Sequence, residues 1–491
     1  MTLVHRVLPP HPYQSLQEYL ARGGGVGLAA ARVSTPQEII ATLTASGLRG
    51  RGGAGFPTGA KWQTVLDYAS TEVPTTVVIN AAEGEPGTYK DRTLLQYNPF
   101  EVLEGAVIAA LAVDATRIIV AVKRSFTEER SRVEAAIEEF RAAGLLGHLT
   151  IDVVAGPDEY LFGEETALLE VTDGRLPFPR IAPPYRRGVD EVVAGDADVT
   201  SGSGLSAHVR MAGPDSSELA PPALVDNVET MANIAKIIAR GAEWFRTEGT
   251  QGSAGTIVCT VTGAVRRPGV GEVLLGTTIR EAIEEIAGGP AAGTSIKAVL
   301  NGVSAAPILA YQLDTPMSYE GMAAIGSSLG TASLHVLPGD TDMTSVAAGI
   351  ARFLAVESCG QCVPCKVDGL AIDGALERLC GTGATAWDVE LLRQRLTTVA
   401  DGARCGLGRQ QQTVIGAIVD TFADEIEARI GAHTPLEPLF VSELRSLHGG
   451  VVELDERRRD KQPDWSFGAE WSGASPADEF ADHRSHRHPP T

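Results

Sequence analysis

Three cysteines stand together in Ser358-Cys359-Gly360-Gln361-Cys362-Val363-Pro364-Cys365. The C-x-x-C-x-x-C spacing brings three thiolates onto one compact turn, and a [4Fe–4S] cluster needs four. The fourth must come from elsewhere. Cys405, in Ala403-Arg404-Cys405-Gly406-Leu407-Gly408, is the candidate, because the glycines after it let backbone approach a cluster. Cys380 ends a helical stretch with Leu376 and Leu379 and reads as core; Cys259 lies mid-strand and reads the same way. Structural zinc held by four cysteines is the competing chemistry. Zinc sites usually come as two C-x-x-C arms, and only one multidentate arm is present here. Five cysteines crowded between Cys359 and Cys405 in a large cytosolic chain point to ligation rather than disulfides.

The second chemical signal is glycine-rich: Gly50-Arg51-Gly52-Gly53-Ala54-Gly55-Phe56-Pro57-Thr58-Gly59-Ala60-Lys61-Trp62. Gly50, Gly52 and Gly55 match G-x-G-x-x-G, but a dinucleotide fingerprint follows a strand, and here a helix precedes. A Walker A loop is excluded too, since Ala60 separates Gly59 from Lys61 and no Ser or Thr follows the lysine. Exposed backbone N–H groups in a nest, with Arg51 and Lys61 as cations, still favour an anion. Phe56 and Trp62 add aromatic faces, so a phosphate-bearing, ring-containing ligand is expected. The alternative is a structural glycine turn.

The chain that must position these groups has 491 residues, 41 Lys plus Arg and 62 Asp plus Glu, a formal net charge of −21. About three domains are expected at this length. A hydrophobic fraction of 44% excludes wholesale disorder, and the acidic balance argues against nucleic acid as a partner. The start carries no signal peptide pattern. The most apolar run, Gly105 to Val122, contains Asp114 and Arg117 and is bordered by Lys123, so it reads as helix then strand, not a membrane span. A cytoplasmic location without membrane insertion is expected.

Residues 14–48 read as helical. Strands are expected at Thr76–Asn80, Arg117–Val122 and Leu149–Ala155, with helices at Phe100–Leu111 and Glu128–Ala142 between them. That alternation implies an α/β layer with a parallel sheet. Residues 195–222 read as a loop, followed by a helix from Asn227. Residues 254–340 read as a small α+β domain with strands at Thr256–Val261, Glu272–Leu275, Ala298–Leu300 and Ser333–Val336 around the helix Ile279–Ile286. From Ser345 to Ile430 the pattern is helical, and the polar end, with its charge run Asp455–Asp464, reads as mobile. His483, His486 and His488 could bind a metal, but a solvated tail is the simpler reading.

Taken together, the motifs resemble one family: the NADH-binding FMN and iron–sulfur (51 kDa) subunit of respiratory complex I, with its relatives in NAD-linked hydrogenases and formate dehydrogenases. The resemblance covers about residues 14–435. It rests on Gly47 to Gly59, on Glu83-Gly84-Glu85-Pro86-Gly87-Thr88-Tyr89-Lys90-Asp91-Arg92, on Gly163-Glu164-Glu165-Thr166-Ala167-Leu168, on Asn227-Val228-Glu229-Thr230, and on the cysteine loop with Cys405. It implies a Rossmann-like FMN domain (1–245), a β-grasp domain (254–340), a helical [4Fe–4S] domain (341–435) and a flexible polar tail (436–491). By resemblance, Gly52, Gly53, Lys61, Asn80, Glu83, Gly163, Glu164, Asn227 and Thr230 line the FMN pocket, with Gly50 and Arg51 in the same nest. Phe56 and Glu85 face the nicotinamide nucleotide, Tyr185 falls on that side of the pocket, and Glu165 belongs to the same cofactor-binding set. Cys359, Cys362, Cys365 and Cys405 hold the cluster. The implied activity is hydride exchange between NAD(H) and FMN, then one-electron transfer through the cluster.

Three positions depart from the family pattern. Asn80-Ala81-Ala82 stands where Asn-Ala-Asp is usual, Ala182-Pro183-Pro184-Tyr185 where Lys-Pro-Pro-Phe is usual, and Thr64 where an aromatic is usual. All fall on the nucleotide side, and Arg180 or Arg186 is the candidate replacement for the missing lysine. Two functions therefore stay open: an NADH dehydrogenase-type subunit, or an electron-relay subunit with a degenerate nucleotide site in a formate dehydrogenase- or hydrogenase-like complex. Expected partners are a 2Fe–2S thioredoxin-like subunit and a larger iron–sulfur, molybdenum or hydrogenase subunit.

Overall fold

The computed structural model describes residues 3–69, 73–181, 183–186, 189–194, 207–211 and 222–479. Three helices open it: α1 (Leu16–Ala21), α2 (Val26–Ala31) and α3 (Pro36–Ser46). α3 begins on a capping box, with Thr35 accepting from the Glu38 N–H and Glu38 reaching back to the Thr35 N–H, and it stops at Gly47, whose φ is 70°. The glycine loop then runs into α4 (Thr58–Asp67).

Strands β1 (Thr75–Ala81), β2 (Ala115–Lys123) and β3 (Thr150–Gly156) alternate with α5 (Lys90–Tyr97), α6 (Pro99–Ala112) and α7 (Thr127–Ala142). After α8 (Glu165–Thr172), β4 (Val189–Ala194) and β5 (Ala207–Met211) pair antiparallel. The expected loop 195–222 thus contains a strand; residues 195–206 and 212–221 of it lie outside the described residues. β6 (Ala223–Asn227) then joins the main sheet and leads into α9 (Val228–Arg240).

The main sheet is four-stranded and parallel, in the order β3-β2-β1-β6. Its apolar runs are continuous because both faces are covered. Val77 and Ile79 join one core with Phe100, Leu103 and Ile234, while Val78 and Ile119 join another with Phe162 and Leu168. β2 and β3 lie to one side of β1 and β6 to the other. Neighbouring strand ends open a crevice at such a switch point, where open α/β sheets take their ligands.

α10 (Ala242–Arg246) leads to a mixed five-stranded sheet of β7 (Thr256–Gly263), β8 (Gly269–Leu274), β9 (Ile296–Asn301), β10 (Ile308–Leu309) and β11 (Ser333–Pro338), in the order β10-β9-β11-β7-β8. β7 and β11 are parallel and the other pairs antiparallel. α11 (Ile279–Ala287) buries Ile279, Ala282 and Ile283 in the same core as Ile257 and Val299, and α12 (Tyr319–Ala324) follows. The helical region comprises α13 (Met343–Glu357), α14 (Val363–Cys380), α15 (Ala386–Thr398) and shorter turns from Leu407 to Glu427.

The flexible tail expected over 436–491 is corrected as far as Glu479. Leu444–His448 (β12) and Val451–Leu454 (β13) form a hairpin, and Lys461 and Trp465 are buried. The charged run is polar because its partners are buried charges elsewhere, which composition alone cannot reveal. Residues 480–491, with the three histidines, lie outside the described residues. Among the described residues no helix is long and apolar enough to cross a membrane.

Candidate functional site

Asn80 at the end of β1 and Asn227 at the end of β6 are register partners across the switch point. Asn80 Nδ2 donates to the Gly163 carbonyl at 2.8 Å, and its Oδ1 accepts from the Ala82 N–H at 3.2 Å. Asn227 caps α9 by accepting from the Glu229 N–H, donates to Asp91 at 2.7 Å, and accepts from Lys90 at 3.2 Å. The two amides thus tie three sequence motifs to one edge of the sheet. Gly52 abuts the same place, since a Cβ there would stand 3.2 Å from Asn227 Cβ.

The glycine loop is held from beneath. Thr230 Oγ1 accepts from the Arg51 N–H at 2.8 Å, and the Gly50 carbonyl accepts from the Tyr319 hydroxyl at 3.0 Å. Gly53, at φ 115°, bridges to Gly330, so the second sheet's loop closes over the first domain. Two expectations are corrected. Arg51 is buried and turned inward, its guanidinium on Tyr319 and the Ala254 carbonyl, so its charge is not offered to an anion. Trp62 is also core, donating its ring N–H to Asp226 at 2.7 Å. In both cases the partner lies more than 160 positions away, beyond what local spacing reveals. Phe56 does stand out, 56% exposed.

Lys61 Nζ meets Glu165 at 2.5 Å, the Val225 carbonyl at 2.5 Å and Asp226 at 3.5 Å. Burial works against the ammonium, but Asp226 and Glu165 outweigh it and hold its pKa above the ordinary value. Glu164 caps α8, accepting from Thr166 and Ala167 N–H groups and the Thr166 hydroxyl, and burial pushes its pKa up. Adjacent glutamates thus serve different partners. Glu83 accepts from the Thr88 hydroxyl and the Asp91 and Arg92 N–H groups; burial, then Asp91, raises its pKa to about 7.

Glu85 joins all three regions. It accepts from the Val303 N–H at 2.8 Å and from the Tyr160 hydroxyl at 2.5 Å, and that hydroxyl accepts from Gln410 Nε2 at 3.1 Å. Burial raises the pKa of both Glu85 and Tyr160. Tyr160 and Gln410 were not singled out by the sequence, and neither were Lys90 and Glu229, a buried ion pair at 2.9 Å. The cue was a Lys-Asp-Arg run inside a glycine- and proline-rich segment. Tyr185 is half-buried, with its ring 5.0 Å from that of Tyr68. Arg180 pairs with Glu170, and its backbone N–H donates to the Thr166 hydroxyl at 2.9 Å. Ala182 and the side chain of Arg186 lie outside the described residues.

Cys359, Cys362, Cys365 and Cys405 line one cavity, walled by Leu161, Pro179 and Leu407. The Arg404 N–H donates to Cys362 Sγ at 3.3 Å, and Ser358 Oγ lies 3.4 Å from Cys365 Sγ. Burial pushes the Cys359 thiol up to about 12, and Cys365 and Cys405 upward as well. Such thiols ionise against a metal centre's positive charge. Among the described residues no three His, Cys, Asp or Glu side chains close on a single metal ion. Four thiols around one cavity meet the ligand count of a [4Fe–4S] cluster. Cys380 and Cys259 are buried in core clusters, as expected. For FMN, the fit rests on the loop: Thr58 Oγ1 at its end and Thr331 Oγ1 beside Gly53 are buried hydroxyls without a hydrogen-bond partner. A polar ligand would satisfy them.

The comparisons agree with this geometry. The chain matches the Nuo51 FMN-binding domain over residues 43–236, the SLBB domain over 258–303, and the NADH-ubiquinone oxidoreductase-F iron-sulfur binding region over 345–429. An NADH-quinone oxidoreductase subunit of Rhizobium meliloti (strain 1021) is 35% identical, over 84% of this chain and 94% of the relative. A subunit of the NADP-reducing hydrogenase of Solidesulfovibrio fructosivorans, HndC, is 34% identical, over 85% and 81%. The crystal structure of an NAD+-reducing [NiFe]-hydrogenase in the H2-reduced state superposes with a TM-score of 0.71 at 28% identity, over 87% of this chain and 68% of that one. The chain belongs to the family of FMN- and iron–sulfur-binding oxidoreductase subunits that includes those NADH-quinone oxidoreductase and hydrogenase relatives.

Proposed function

We propose that this chain is the flavin- and iron–sulfur-bearing subunit of an NADH dehydrogenase-type complex, exchanging hydride with NAD(H) and passing single electrons to partner subunits. FMN, when bound, accepts two electrons as hydride and releases them singly, and the cluster carries single electrons onward. The protein supplies position. Asn80 and Asn227 fix the crevice floor, Gly52 and Gly53 let the loop approach it, and Lys61 places a cation between Glu165 and Asp226. One observation carries the reading: the Tyr160 hydroxyl bonds both Glu85, on the crevice loop, and Gln410, five residues beyond Cys405. The flavin side and the cluster side are therefore one bonded unit.

A second reading, an electron relay without NADH oxidation, is favoured by one observation. Arg180, one of the two candidate replacements for the basic group absent at position 182, is engaged by Glu170. Anaerobic titration of the reconstituted protein separates the two. Flavin bleaching by NADH, followed by cluster reduction, supports the first; bleaching by dithionite but not by NADH or NADPH supports the relay. The relatives' names make them subunits, which supports assembly with other electron-transfer subunits; we propose a 2Fe–2S thioredoxin-like subunit and a larger iron–sulfur, molybdenum or hydrogenase subunit as those partners. A cytoplasmic location, at most peripheral to a membrane through the complex, belongs to the same proposal and rests on reading the cysteines as ligands and core thiols.

A further inference from the structure

Residues 442–479 lie outside all three family matches, yet they are built into the cluster region. The centre of the arrangement is Glu357, two positions before Cys359. Its Oε1 accepts from Arg458 at 2.6 Å and from Lys461 at 2.8 Å; its Oε2 accepts from the Tyr160 N–H at 3.0 Å. Arg458 also donates to Glu443 at 2.9 Å, and Glu443 accepts from Lys123 at 2.7 Å at the end of β2. One buried chain of alternating charges thus links the parallel sheet, the C-terminal segment and the helix that carries the cysteine loop.

The segment then crosses the loop itself. Lys366, next to Cys365, donates to the Pro463 carbonyl at 2.5 Å and to the Ser358 carbonyl at 2.9 Å. Trp465 donates its ring N–H to the Val356 carbonyl at 3.0 Å and is held at φ 67°, a left-handed backbone that residues with a Cβ seldom adopt. The surroundings must over-determine such a conformation for it to persist. Finally, the Ala477 N–H donates to the Cys359 carbonyl at 2.9 Å, and Ser475 packs so closely on Gly360 that a Cβ there would stand 2.2 Å from its hydroxyl.

We infer that residues 442–479 are a strap that completes the cluster site from outside its ligands. Arg458 and Lys461 act through Glu357, and Trp465 and Ala477 act through the backbone of the cysteine loop. These are positioning residues: they hold the loop in the shape that four thiolates need and keep water from it. Groups behind metal ligands are worth roughly 10- to 100-fold in metal retention.

This inference rests on the four cysteines holding a cluster, and the experiment separates the two. Full-length holoprotein is challenged with a ferrous-iron chelator, and the dithionite-reduced form is examined by EPR. Dithionite makes both readouts independent of any nucleotide. If the parent protein binds no iron–sulfur cluster, the cofactor assignment fails. With the cluster present, the double variant Arg458→Met, Lys461→Met is expected to release iron at least about ten-fold faster, with a changed EPR line shape and unchanged FMN content. Trp465→Phe keeps an aromatic side chain but deletes the ring N–H and the larger indole, so it reads the same effect in a milder background should the double variant fail to fold. Lys461→Arg restores slow release. Arg459→Met, whose guanidinium meets Glu456 at the surface, leaves release at the parental rate. Parental release rates and line shape in folded Trp465→Phe and in the double variant overturn the inference, as does loss of FMN in step with iron.

Discussion

Asn80 and Asn227 face one another in register at the carboxyl ends of two adjacent parallel strands, and neither amide has a free end. Each side chain binds a different loop, so the crevice is shaped by residues that hold backbone. Asn227→Ala removes the α9 cap and strands Asp91 and Lys90 in a buried site. A loss of about 2 kcal/mol is expected from the cap and the broken hydrogen bonds together. Thermal unfolding and the FMN-to-protein ratio measure it, and both should fall.

Tyr319 joins the second sheet's domain to the glycine loop. Its hydroxyl donates to the Gly50 carbonyl, while Arg49 stacks on its ring at 3.7 Å. Tyr319→Phe keeps the stacking and deletes the hydroxyl, at an expected cost of about 1 kcal/mol. FMN affinity should weaken while cluster content stays whole, as read by flavin fluorescence on dilution and by iron analysis.

Cys405 and Cys380 give opposite outcomes. Cys405 lines the cavity with the C-x-x-C-x-x-C thiols, whereas Cys380 is core and its thiol reaches only the Thr344 carbonyl at 3.8 Å. Cys405→Ser should abolish the reduced-cluster EPR signal, and Cys380→Ser should retain it with four irons per chain.

Ala82 sits in an apolar cluster with Val78, Phe162 and Leu168. Restoring the family's aspartate there therefore buries a carboxylate among apolar side chains. Ala82→Asp is expected to cost about 2–3 kcal/mol and to leave NADH affinity no better. Tighter NADH binding by calorimetry would contradict that placement of Ala82.

Glu83 titrates in the folded protein near pH 7, above its ordinary 4.5, because burial and then Asp91 disfavour its charge. The folded state thus holds this proton more tightly than the unfolded chain does. Its contribution is complete below about pH 4.5 and is lost as pH rises through 7. Glu83→Gln removes the titration. The difference in melting temperature between parent and variant should shift in the variant's favour between pH 5 and pH 8.

Regular structure was legible because its causes are local. Within the expected strands, Val77–Ile79 and Ile118–Val122 are continuously apolar, and they became strands buried on both faces. That the cysteines gather at one cavity was legible because three of them sit within seven positions. Arg51 and Trp62 were misread as open charge and open ring because Ala254, Tyr319 and Asp226, which enclose them, are remote in sequence. The tail was misread for a related reason. Its basic residues look solvated in isolation, and only the fold sets Arg458 and Lys461 on Glu357, and Glu443 on Lys123.

The hydrogen bond from Ala477 to Cys359 has a consequence for biogenesis. More than a hundred residues separate the two, so on the ribosome the cysteine loop emerges well before the segment that crosses it. Synthesis at roughly 5–20 residues per second leaves that loop uncovered for several seconds. Iron and sulfide delivery has an open door during that interval, and the finished chain closes it behind them.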